Sequence, residues 1–386
     1  GESISSQCHD ARGLETVAWS EMLASKQQQK PPSDETIPRH RIRSLYKFVP
    51  LTELEALQEE LDQVFRAYGA RGNILLAPEG INGTLCYPLT DEDDDSDSDV
   101  FWDYLSKHPQ LGSAATADGE VLRPMQTTVT WSKRQVFYRL KIKRKSEIVT
   151  LGLEAPVDPT RLVGQHVAPG PDWDRLIMDP DVLVIDTRNN YEVELGTFEN
   201  AVNPNTDNFR EFPNWVHNTF SPQSKKKTPK AVAMFCTGGI RCEKATSHVL
   251  ASGLLPEHVP VYHLEGGILS YLLQEQDKAQ SKFKGECYVF DQRVAVGTTE
   301  DGCVAETELY TACFACRRPQ SPDDRTHPDY KEGLSCRYCK DARSDRQKLR
   351  FEERQRQIQL LDGDQQHFHD PKEVAPSLLF HNKSNA

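Results

Sequence analysis

Apolar positions along this chain change period from one segment to the next. In LTELEALQEELDQVFRAYG (51–69), leucines at 54, 57 and 61 are followed by Val64 and Phe65. That spacing predicts a helix, with Gly69 as its stop. SLYKFVPL (44–51) predicts a strand before it. RGNILLAPEGINGTLCYP (71–88) predicts strand, turn and strand, folded back at Asn82-Gly83. DVFWDYLSKHP (99–109) predicts a second helix, and 127–152 two further strands. The order β-α-β-β-α-β suggests a ferredoxin-like domain over 44–152. Residues 153–171 hold four prolines without periodicity and are expected to be a linker. The pattern then changes to short, wholly apolar runs: VLVID (182–186), AVAMF (231–235) and PVYHL (260–264). Helical stretches near Asn190–Leu195 and from Cys242 to Gly253 alternate with them. This predicts a parallel α/β domain over 172–295, with Asp186, Cys236 and Glu265 at the carboxyl edge where such sheets carry their sites. The intervening 204–230 carries Phe209, Phe212, Trp215 and Phe220. It is expected either to cover the core or to form a lid over the cleft.

The stretch with the most chemistry is AVAMFCTGGIRCEKATSHVLASG (231–253). A buried strand ends at Cys236, and Thr237, Gly238, Gly239, Ile240 and Arg241 lead into a helix. Adjacent glycines let backbone N–H groups turn inward, and a loop of this kind before a helix N-terminus attracts negative charge. A sulfur held there is stabilised as thiolate, its nucleophilic form, and Arg241 adds a positive charge. The alternative is an inert core cysteine. Cys242 either resolves an adduct on Cys236 or simply packs. Asp186 and Arg188 are expected to pair and to position the loop.

Composition sharpens this picture in three places. The net charge of −12 owes seven acidic residues to one run, DEDDDSDSD (91–99), so without it the charge is only −5. That run reads as a solvated insertion, and acidity excludes little. A basic stripe, Arg139, Lys141, Lys143, Arg144 and Lys145, is suited to a phosphate backbone. Ten cysteines in 386 residues are too few for a disulfide scaffold. Four of them form two C-x-x-C knuckles, Cys313/Cys316 and Cys336/Cys339, nineteen residues apart. This predicts a small zinc-binding element over 303–341 with a closed, structural site, and a reducing compartment, the cytoplasm first and an organelle second. No run is long enough to span a membrane, and residues 1–40 lack a charged-then-apolar signal. Residues 1–43 read as a weakly structured arm, and 342–386 as a charged helix with a disordered tail, in which His367 and His369 form no recognisable site. His327-Pro328-Asp329 reads as a polar loop. No Gly-x-Gly-x-x-Gly or haem-attachment pattern is present, so no organic cofactor is identified.

The strand–Cys236–loop–helix arrangement resembles the active-site loop of the rhodanese family, with Cys236 matching the persulfide-carrying residue. VLVIDTRNNYEVELGTFENAVN (182–203) resembles that family's other motif, except that Gly196-Thr197 stands where Gly-His is usual. A longer succession runs through LYKF (45–48), APEGINGT (77–84), FYRLKIK (137–143), IDTRNNYEVELGTFENA (185–201), FCTGGIRCEKA (235–245), VYHLEGGI (261–268), YVFDQR (288–293) and the cysteine pairs. It resembles the rhodanese-domain tRNA uridine hydroxylases, in the form of a eukaryotic relative. The resemblance implies an acylphosphatase-like N-terminal domain, a rhodanese domain and a cysteine-rich C-terminal segment. It also implies tRNA as partner and oxygen-dependent 5-hydroxylation of the wobble uridine, with oxygen as co-substrate. Sulfur transfer through a Cys236 persulfide and a non-catalytic binding module are the alternatives.

Overall fold

In a computed structural model, β1 (His40–Phe48) forms the spine of the first sheet. The structure describes residues 40–89, 99–113, 115, 119, 121–224, 227–274, 280–299 and 304–365, with side chains of the last helix as far as 358. The expected arm before residue 40, the acidic run over 91–98 and the tail from 366, with His367 and His369, lie outside the described residues. β1 begins within the stretch expected to be an arm. It pairs on both sides, antiparallel to β3 (Gly80–Pro88) and β4 (Gln126–Ser132). β2 (Arg71–Ala77) pairs with β3, and β5 (Leu140–Arg144) runs parallel to β2. The strand order is β4-β1-β3-β2-β5, with the five strands that the spacing predicts, one more than the four of the β-α-β-β-α-β pattern itself. Helices α1 (Leu54–Ala67) and α2 (Val100–Lys107) cover one face. Leu57, Leu61, Val64 and Phe65 of α1 enter the core as their spacing requires.

Beyond this domain, the stretch expected to be a linker contains an edge strand, β6 (Gln165–Val167). α3 (Pro171–Ile177) leads into a parallel sheet of order β6-β10-β9-β7, formed with β7 (Val182–Asp186), β9 (Ala231–Phe235) and β10 (Val261–Leu264). Between β7 and β9 come α4 (Asn190–Val193), β8 (Gly196–Phe198), a 3-10 turn (Phe209–Glu211) and α5 (Phe212–Phe220). After β9, α6 (Ile240–Ser252) begins two residues before the expected start and ends at Gly253, whose left-handed φ of 63° suits glycine. α7 (Gly267–Gln274) follows β10. Alternate residues of β9 serve two cores: Ala233 and Phe235 pack with Trp173, Phe198 and Tyr271, whereas Val232 and Met234 pack with Phe212, Val216 and Val249.

Four short strands complete this body: β11 (Phe283–Gly285) against β8, and β12 (Cys287–Tyr288) with β13 (Ala295–Thr298) and β14 (Val304–Glu306). They clip the two domains together. Arg293 donates to Thr130 at 2.9 Å, and Arg134 pairs with Glu306 at 2.6 Å. The described residues from 309 onward form a separate unit. Its described elements are β15 (Thr311–Ala312), β16 (Pro319–Gln320), α8 (Pro322–Thr326) and α9 (Asp345–Gln365). Among the described residues no helix is long and apolar enough to cross a membrane.

Candidate active site

Cys236 continues the alternation of β9, so its side chain falls on the α6 side with Val232 and Met234. The loop then turns on Gly239, whose φ of 97° resists any side chain. The Gly239 N–H donates to Cys236 Sγ at 3.1 Å. On the far side, the N–H groups of Ile268 and Leu269 donate to the carbonyls of Cys236 and Thr237 at 2.9 and 3.0 Å. Gly267 is needed there, because a Cβ would lie 2.5 Å from the Cys236 carbonyl oxygen. The loop is thus held between the first turns of α6 and α7.

Cys236 is 0% exposed. Burial alone would push its thiol up. The Cys242 thiol, the Arg241 guanidinium and the N–H groups of Cys242 and Gly239 outweigh that and lower it to about 6. Burial and the neighbouring sulfur drive Cys242 far upward. The pair therefore shares one proton, carried by Cys242, whose sulfur also lies 3.6 Å from Thr187 Oγ1. Arg241 is fixed by a fork of two 2.7 Å bonds to Glu192. Glu192 was not among the residues singled out from the sequence. The signal was there in Asn189-x-x-Glu192, since Glu192 reaches back to the Asn189 N–H at 3.2 Å, as in a capping box. Asp186 and Arg188 do pair, at 2.9 and 2.6 Å, but their further bonds go elsewhere. Arg188 donates to the Gly196 carbonyl at 2.5 Å, and Thr197 donates to Asp186 at 2.8 Å. This pair braces the start of β8 at Gly196-Thr197, while Glu192 and Arg241 brace the cysteine loop.

Above the loop is a cavity of about 490 Å³. Its floor includes Cys236, Thr237, Gly238, Ile240 and Arg241. Its roof is the helix-free face of the first sheet. Strand register assembles two rows across that face, Thr128-Ser44-Thr84-Asn73-Lys141 and Gln126-Tyr46-Asn82-Leu75-Lys143, and all ten residues line the cavity. The predicted basic stripe is divided by strand alternation. Lys141 and Lys143 reach the cavity, and Arg139 and Lys145 are exposed on the same parity. Arg144 turns the other way and pairs with Glu55 at 2.9 Å. Phe290 stands at the rim, 56% exposed, with the Arg241 guanidinium 5.9 Å from its ring centre. Among the described residues of 204–230, none lines the cavity. Phe209, Phe212 and Trp215 stack at 5.7 Å spacings over the core, so this segment is a cover and not a lid.

Contacts of Tyr46 and Lys244 are among those that join roof to floor, and neither was foreseen from the sequence. Tyr46 donates to Glu243 at 3.0 Å. Burial, then the charges of Glu243 and Cys236, keep the Tyr46 hydroxyl protonated. Lys244, 1% exposed, reaches Glu79 at 2.9 Å, Glu147 at 2.5 Å and the Val149 carbonyl at 3.0 Å. Both motifs lie far apart in the chain, which is why no local pattern announces them.

Residues 40–148 match the UPF0176 acylphosphatase-like domain, and residues 172–274 match the rhodanese-like domain. The chain has the architecture of the tRNA uridine(34) hydroxylase (UPF0176) family. The cavity therefore lies where the UPF0176 domain meets the rhodanese loop. Two solved structures overlap parts of the chain. One is a protein of unknown function, a possible tyrosine phosphatase, from Rhodopseudomonas palustris, with 24% identity over 28% of this chain and 79% of that one, at a TM-score of 0.23. The other is the As-Sb reductase of Leishmania major, with 16% identity over 38% and 94%, also at 0.23. Overlap of that extent says nothing about the chemistry of this chain.

In the C-terminal unit, Cys313, Cys316, Cys336 and Cys339 come together. Their sulfurs are 3.9 Å apart for Cys313 and Cys339, 3.6 Å for Cys316 and Cys336, and 3.8 Å for Cys336 and Cys339. A tetrahedron with metal–sulfur bonds of about 2.3 Å has edges of about 3.8 Å. The four thiols thus stand at the spacing that one metal ion requires. His327 and Asp329 lie 3.7 Å apart, with Lys340 2.7 Å from Asp329, and so form a polar loop.

Proposed function

We propose that this chain is a tRNA-modifying enzyme that hydroxylates the wobble uridine at C5, with dioxygen as co-substrate and Cys236 as the reactive thiol. One observation carries this reading: Cys236, whose thiol its neighbours lower, is a residue of the floor of a cavity roofed by the polar face of the UPF0176 domain. The cavity is of the size that takes a small ligand, here a single flipped nucleotide. Cys236 acts as nucleophile toward the base. The Gly239 N–H and Arg241 steady its charge, Cys242 holds the exchangeable proton, and Tyr46, whose proton goes to Glu243, lines the roof. Phe290 offers a face for stacking. Lys141 and Lys143, flanked by Arg139 and Lys145, meet phosphates, while Arg144 is engaged by Glu55. Dioxygen supplies the hydroxyl oxygen; its second atom leaves as water, with electrons from an external reductant. We assign zinc to the four C-terminal cysteines as a closed structural site. Metal analysis of freshly purified protein is expected to find it, and its absence defeats the assignment.

Mass spectrometry of tRNA nucleosides tests the main reading. Cells lacking the protein are expected to lose 5-hydroxylated wobble uridine, and the wild-type chain is expected to restore it. Cys236→Ser, nearly isosteric, is expected to fold normally and restore none, a fall of at least about 1,000-fold for a lost nucleophile. An unchanged pool refutes the reading. The same thiolate cradle favours a persulfide, so an unchanged pool together with sulfane sulfur on Cys236 would mark a sulfurtransferase.

A further inference from the structure

Next to the cysteine loop is a second cluster that the reading above does not use. β6 and β10 are parallel neighbours, and His166 stands opposite His263 in their register. Paired residues on adjacent strands project to the same face, so the two imidazoles meet, with ring centres 4.0 Å apart. The first turn of α6 brings Glu243 to them, with Oε1 3.2 Å from His166 Nε2. One donor atom from each of the three residues lies within 4.8 Å of the others. His263 is 1% exposed, yet neither of its ring nitrogens has a hydrogen-bond partner among the described residues. Buried polar groups are nearly always partnered, because stranding one costs about 1–3 kcal/mol. Two orphaned nitrogens beside a carboxylate are what a cation would satisfy.

We propose that His166, Glu243 and His263 bind one divalent transition-metal ion of the zinc or iron class. Two imidazoles and a carboxylate suit such ions. With bonds of about 2.0–2.2 Å, neighbouring ligand atoms sit about 3–3.5 Å apart; His166 and Glu243 already do, and His263 has a short gap to close. The nearby cation, Arg123, is paired with Glu265 at 2.5 Å. Three protein ligands leave a further position for water. Glu243 Oε1 also accepts the Tyr46 hydroxyl, so the ion would join β6, β10 and α6 and, through Tyr46, the first sheet. The site is separate from the four cysteines and independent of which reaction Cys236 performs.

Cobalt(II) binding to the chelator-stripped full chain tests this. Thiolate ligation gives cobalt intense charge-transfer absorption, whereas two imidazoles and a carboxylate give only weaker d–d bands. Wild-type protein is expected to show both. Cys336→Ser/Cys339→Ser is expected to keep the d–d bands. Adding His263→Gln is expected to weaken that uptake by more than the roughly 10–100-fold that losing an outer-shell partner costs. His166→Gln, at a half-buried position, is the second variant should His263→Gln fail to fold, and circular dichroism checks the fold of each. Absence of d–d uptake in the double-cysteine variant, or uptake that both histidine substitutions leave unchanged, overturns the proposal.

Discussion

Gly239 serves the Cys236 sulfur and the opposite domain at once. Its N–H reaches Cys236, and a Cβ placed on it would lie 2.8 Å from the Tyr46 hydroxyl. Its φ of 97° adds backbone strain for any other residue. Gly239→Ala is therefore expected to cost about 1–3 kcal/mol, read by thermal unfolding, and to lower activity. The ionisation of Cys236 rests on several donors. A difference titration of thiolate absorbance, wild type minus Cys236→Ser, is expected to have its midpoint at about 6. Cys242→Ala removes the S–H donor, so the thiolate loses a stabilising partner and the midpoint moves up. A midpoint unaffected by Cys242→Ala would show that the two thiols do not share a proton.

At the scale of elements, α6 connects everything at the site. Its first turn carries Arg241, Cys242, Glu243 and Lys244, and all four are buried. Lys244 holds Glu79 and Glu147 of the other domain. Lys244→Met leaves two partly buried carboxylates facing each other and is expected to cost about 3 kcal/mol, roughly 5 °C in Tm by calorimetry. Burial raises the Glu147 carboxyl, but the Lys244 ammonium and the N–H groups of Leu151 and Gly152 hold it below its ordinary value of 4.5. Its stabilisation is therefore complete above pH 4.5 and lost as pH falls through the lower folded value. Lys244→Met should show less of this acid sensitivity; equal sensitivity would remove Lys244 from the cause. The long elements were legible in the sequence because period and length suffice: α1, β7, β9 and α6 follow their apolar spacing. β6 was not, since three residues among prolines show no period and form a strand only through pairing with β10. The same limit hid Glu243, Lys244 and Tyr46 as contacts, because pairing across two domains leaves no mark on local spacing. Cys236 and the four C-terminal cysteines were visible because their chemistry needs residues close in sequence.

For the whole molecule, the two domains make one site. The cavity has Cys236 on the rhodanese side and its polar rows and lysines on the UPF0176 side, and Arg293 and Glu306 tie the two together. The account's central claim is that a wobble nucleotide enters this cavity and lies against Cys236. An anticodon stem-loop carrying photoactivatable 4-thiouridine at the wobble position tests it most directly, with the attached peptide identified by mass spectrometry. The account predicts attachment within the cavity, at Cys236, Tyr46 or Phe290, and its loss when Lys141 and Lys143 are both changed to alanine. Attachment mapping only to the C-terminal unit or to surfaces outside the cavity would contradict it.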